Sequence, residues 1–98
     1  MREDLKELAN QIILAGRGIA PLVSKGVVIQ NFRVEGDIVY VALLRGIETV
    51  SNTYGIKSVN INDGVVRAEE DGICFYQYVL ERDRERVFGE LLLGGNKG

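Results

Sequence analysis

The sequence predicts an α+β domain: an N-terminal helix followed by an antiparallel sheet of about five strands, in the order α-β-β-α-β-β-β-α, with helices on one face. Three observations carry this. A helical stripe of apolar residues opens the chain, two β-rich runs flank a glycine-containing turn, and two Asp-Gly pairs punctuate the second half.

The opening stripe is Leu5, Leu8, Ile12, Ala15, Ile19 and Leu22, spaced by three or four residues. Asp4 offers an N-cap with Glu7 as its capping partner. Further along, Gly16 and Gly18 weaken a helix, and the ring of Pro21 would clash with the carbonyl of Arg17. The expectation is a helix over residues 4–15, a break at Gly16-Arg17-Gly18 and a short second turn ending at Gly26. A single long helix through residue 23 is the alternative.

Residues 27–34 and 38–44 read as a β-hairpin around Glu35-Gly36-Asp37. The first strand sets Val28, Phe32 and Val34 against Asn31, Arg33 and Glu35. Its partner is apolar on both faces, with Ile38, Tyr40, Ala42 and Leu44 on one and Val39, Val41 and Leu43 on the other. Ile47, Val50 and Tyr54 then follow helical spacing up to Gly55. A β-meander comes next, with strands over 56–61, 65–69 and 73–81 joined by Asp63-Gly64 and Asp71-Gly72, the dipeptides of tight hairpins. The last strand again has two apolar faces: Ile73, Phe75 and Val79 oppose Cys74, Tyr76, Tyr78 and Leu80. Asp83 would cap a closing helix with Val87, Phe88, Leu91 and Leu92 on one side, and a sixth strand over 86–93 is the alternative. Residues 1–93 form one domain in this reading, with 94–98 a flexible tail.

The chain has no histidine, no tryptophan and a single cysteine, Cys74, so no Ser–His or Cys–His relay can be built from it. The usual nitrogen and sulfur ligands of transition metals are missing as well. Twelve basic residues against fourteen acidic ones give a net charge of −2, without the bulk basic footprint of a nucleic-acid binder. A lone cysteine and a charged amphipathic start point to the cytoplasm. Charged residues interrupt every apolar run well before about 18 residues, so no membrane span is expected.

Several clusters invite a chemical reading. Gly16-Arg17-Gly18 could cradle an anion, although a helix and not a strand precedes it, and an exposed helix break is the plainer account. Asn60, Asn62, Asp63, Glu69, Glu70 and Asp71 are rich in oxygen, but aligning Gly64 with a calcium-loop glycine puts Val59 and Ile61 where ligands belong. Hairpin turns account for them, and no metal and no cofactor is expected. Cys74 reads as a buried small residue. Arg82, Arg84 and Arg86 alternate with Glu81, Asp83 and Glu85, and Arg86 should face Glu90 one helical turn on.

The element order resembles that of small roadblock-like or profilin-like domains, which act as dimerising adaptors; the resemblance is one of element order alone, with no diagnostic residues, and assigns no family. The leading expectation is a non-enzymatic interaction module that forms a homodimer through its sheet, using Val39, Val41, Leu43, Tyr76 and Tyr78. Helices can cover only one of two apolar faces, and a second copy covers the other. The alternative is a small nucleic-acid-binding regulator that stacks bases on Tyr76 and Tyr78 and holds phosphates with Arg82, Arg84 and Arg86. A sensor of anions or small ligands at Gly16–Gly18 is a third.

Overall fold

A computed structural model describes residues 2–15 and 20–95. Helix α1 (Glu3–Ala15) and the single turn α2 (Ala20–Val23) lead into the hairpin β1 (Val28–Glu35) and β2 (Ile38–Arg45). Then follow α3 (Ile47–Thr53), the meander β3 (Val59–Asn62), β4 (Val65–Glu70) and β5 (Ile73–Tyr78), a 3-10 turn (Glu81–Asp83) and α4 (Arg84–Gly95). The α+β class and the element order match the sequence reading. Residues 86–93 are helical, not a sixth strand, and α4 runs through Gly94 and Gly95, two residues into the expected tail. The expected break at Gly16-Arg17-Gly18 lies outside the described residues.

The sheet departs from expectation in one pairing. Its strand order is β1-β2-β5-β4-β3, and β2 runs parallel to β5, whereas every other pair is antiparallel. The connection explains this. Helix α3 carries the chain back to the end where β2 began, so β3 starts in the direction of β2, and two hairpins return β5 in that same direction. Both Asp-Gly turns adopt the left-handed backbone that a two-residue hairpin demands: Asp63 and Gly64 have φ of 51° and 81°, Asp71 and Gly72 of 48° and 84°.

Two local details were not anticipated. The β1–β2 register shifts around Gln30, so Ile29 is buried opposite Leu43 while Phe32 still faces Val41. Asp4 lies within the first turn of α1, not before it; its Oδ1 accepts from the Leu5 amide at 2.8 Å, and its carboxylate meets Arg2 at 2.7 Å.

A contiguous core joins the helices to one face of the sheet. Leu5, Leu8 and Ile12 of α1, Ile47 and Val50 of α3 and Val87 of α4 are all essentially inaccessible, as are Val41, Val66, Ile73 and Phe75 beneath them. Three polar side chains are buried as well, Glu48, Ser51 and Gln77. The Gln77 Oε1 accepts from the Ile47 amide at 2.9 Å, satisfying one of the first-turn donors that have no partner within α3. Glu48 of α3 accepts from Arg86 of α4 at 2.7 Å, and Arg86 also reaches Glu90 at 3.5 Å, the expected neighbour.

Candidate interaction surface

The two faces of the sheet are unlike. Alternation along the strands places Val39, Val41 and Leu43 of β2 and Ile73, Phe75 and Gln77 of β5 beneath the helices, all buried. The expectation that Val39, Val41 and Leu43 contact a second copy is therefore corrected: they are 6, 0 and 3% exposed, inside the core of their own chain. With both faces of β2 apolar, strand periodicity identified the two sets but not which one the helices would take.

Among the described residues, the buried apolar side chains of all the α-helices belong to that one core, which leaves the opposite face of the sheet open. The register defines its rows. One row runs Arg33, Tyr40, Cys74, Glu69 across β1, β2, β5 and β4. The next row on this face runs Asn31, Ala42, Tyr76, Arg67, Asn60. A further step along, Leu44 and Tyr78 follow the last paired residues of β2 and β5, Leu43 and Gln77, and Tyr78 is itself opposite Val65. Leu44 and Tyr78 are each 58% exposed, among the larger apolar side chains left in water.

Bulk alternates on this face. Tyr40 stands beside Cys74, and Ala42 beside Tyr76, so a large and a small side chain exchange places from one row to the next. A shallow hollow of about 250 Å³ results, lined by Arg33, Tyr40, Val65, Arg67 and Tyr76. Charge frames the tyrosines. The Arg33 guanidinium lies 4.7 Å over the Tyr40 ring and pairs with Glu35 at 3.1 Å, while Arg67 pairs with Glu69 at 3.8 Å. Both pairs are mostly solvated, so each holds its side chains only loosely.

Cys74 is fully buried between these taller neighbours, with the Arg67 Nη2 at 3.6 Å from its Sγ. Burial pushes its thiol pKa up, and the Arg67 hydrogen bond opposes that only in part. It is a small packing residue and not a poised nucleophile. Sequence reasoning missed Arg67 as its neighbour, because the two meet only through the β4–β5 register.

The remaining candidate residues are dispersed. Arg82 is exposed, 3.9 Å from Asp83; Arg84 turns toward β5, donating to the Val79 carbonyl at 3.1 Å with its guanidinium 5.7 Å over Tyr78; Arg86 is tied to Glu48. These three arginines do not form one patch. Glu70 and Asp71 are occupied in holding Arg2, whose Nη1 reaches Glu70 at 2.5 Å and whose amide reaches Asp71 at 2.7 Å. Among the described residues there is no cluster of metal-ligating side chains and no helix long and apolar enough to cross a membrane. Gly16, Arg17 and Gly18 lie outside the described residues. Comparison with protein-family models, with curated proteins and with solved structures finds no match.

Proposed function

We propose that this chain is a non-enzymatic interaction module that self-associates through the open face of its sheet, in the cytoplasm. One observation carries the reading: a sheet with helices on one side presents Tyr40, Leu44, Tyr76, Tyr78 and Val65 together on the other. Antiparallel sheets with one wet face ordinarily alternate polar residues there. Fully burying an apolar side chain such as Leu44 contributes about 1.5–3 kcal/mol, and a second copy is the commonest source of cover. Tyrosine suits such a surface because it combines apolar area with a polar tip.

Sedimentation or light scattering from about 10 to 300 μM tests it, over the range expected for a small interface. The mass should rise from the monomer value of 10.9 kDa toward twice that. Leu44→Glu, at an exposed position, should hold the protein at the monomer value with its thermal midpoint unchanged. A wild-type mass that stays at the monomer value across the whole range overturns the proposal.

A second reading, binding of single-stranded nucleic acid, is favoured by the arginines around those tyrosines, Arg33, Arg67 and Arg84. Against it, Glu35 and Glu69 partner two of them. A gel shift at low salt that detects no complex removes this reading.

A further inference from the structure

We infer how the second copy lies on the open face: the two-fold axis runs along the strands, midway between β2 and β5. This rests on the self-association reading and adds its geometry. An axis in that position sets β2 of one protomer over β5 of the other and β1 over β4. The rows of the sheet then meet as follows. Tyr40 stands over the partner's Cys74 position and Tyr76 over the partner's Ala42 position, so each tall ring lies opposite a small side chain that its own neighbours overhang, and the symmetry repeats both. At the flanks of those rows, Arg33 meets the partner's Glu69 and Asn31 meets the partner's Arg67. One step along, Leu44 meets the partner's Tyr78, so two of the more exposed apolar side chains of this face cover each other.

Size and exposed apolar area are self-complementary under this one operation, and Arg33 and Glu69 meet across it by exchanging their loosely held in-chain partners, Glu35 and Arg67. An axis across the strands would also match large against small in the tyrosine rows. It would set Tyr78 over the Gly72 turn and would pair Arg67 with Glu69, leaving Arg33 over Asn31 without an opposite charge. The axis along the strands uses Arg33 and Glu69 from opposite flanks instead. Because β2 and β5 are parallel, it also leaves stacked strands running the same way, and a tilt of about 15° to the strands gives the aligned sheet packing of roughly 30°. The footprint is small: four strands about 4.8 Å apart and six residues of about 3.3 Å give a flat area on the order of 400 Å² on each protomer, below that of a stable interface, so the association is a weak one.

Charge reversal tests this geometry. Arg33 and Glu69 have side chains 63 and 48% exposed, so Arg33→Glu and Glu69→Arg should both fold. Alone, each variant places two like-charge contacts in its homodimer, and its dissociation constant should rise at least about tenfold. Mixed in equal amounts, they restore opposite charges at both contacts, and a one-to-one heterodimer should form with close to the wild-type constant. A wild-type protein that is monomeric throughout overturns both this geometry and the self-association reading. A wild-type dimer that either single variant leaves intact, or that the mixture fails to restore, overturns the geometry alone. Restoration by mixing Arg67→Glu with Glu69→Arg, and not by the first mixture, would place the axis across the strands.

Discussion

Replacing Gly46 by alanine should destabilise this protein more than the same replacement at Gly55 or Gly89. Gly46 is the hinge where β2 leaves the sheet and the chain enters α3 on the covered side. Its φ of 102° and ψ of 12° lie outside the backbone region that side chains tolerate, at a cost of about 1–3 kcal/mol. A Cβ there would also stand 2.9 Å from both the Cα and the Cγ2 of Val27, a buried residue with backbone on the contact side. Overpacking of that kind costs about 1–3 kcal/mol more. The two together come to about 4 kcal/mol, a large part of the roughly 5–15 kcal/mol that holds a domain folded.

Two other glycines separate these contributions. Gly55 has a φ of 60° but no heavy atom within 4 Å of an added Cβ, so Gly55→Ala should lose only the backbone part, about 1–2 kcal/mol. Gly89 lies in α4 with open space around it, and Gly89→Ala should gain about 0.5–1 kcal/mol. Urea unfolding with a constant m-value measures all three. A Gly46→Ala loss within about 0.5 kcal/mol of that of Gly55→Ala, no larger than an ordinary surface substitution, would show that the Val27 contact adds nothing.

Arg86→Met should lower the urea midpoint by stranding the buried Glu48 carboxylate, one oxygen of which already lacks a partner among the described residues, and adding Glu48→Gln should recover part of the loss. Arg2 holds the Asp4 carboxyl below its ordinary range. The stability from that pair is therefore complete above about pH 3.9, the unfolded value, and is lost as pH falls through the folded value, so Arg2→Gln should flatten the acid limb of a stability–pH profile. The buried, upshifted Cys74 thiol should react with a maleimide far more slowly in the native protein than in urea; equal rates would show that the open face does not shield it.

Local chemistry made much of the fold legible. The spacing of Leu5, Leu8 and Ile12, the Asp-Gly turns and the helical triplet Ile47, Val50, Tyr54 each act within a few residues, and each element formed where they placed it. The parallel β2–β5 pair was not legible, since it is set by the path of α3 and two hairpins and not by any short pattern. The open face suffered from the same limit. Tyr76 and Tyr78 could be assigned to one side of β5, but the neighbours that give them meaning, Ala42 and Arg67, arrive from strands more than thirty residues earlier or across a hairpin. Which side of β2 the helices would cover is decided by their packing alone, and so Val39, Val41 and Leu43 were read as surface when they are core.

On the proposed reading, Ala42 and Cys74 are the residues that distinguish a face built for a partner from one built for water. Both are buried, though neither belongs to the core beneath the helices, and both are small where a solvated central strand readily carries threonine, lysine or glutamate. The side chains around them, Tyr40, Tyr76, Arg33 and Arg67, overhang both and border an open hollow. A lysine at position 42 could lay its stem between the two rings and keep its ammonium in water. Ala42→Lys should then leave the thermal midpoint of the dilute protein within about 3 °C of the parent while abolishing association at high concentration. If it unfolds the monomer instead, the small residue serves the chain's own packing, and the hollow is no longer an argument for a second copy.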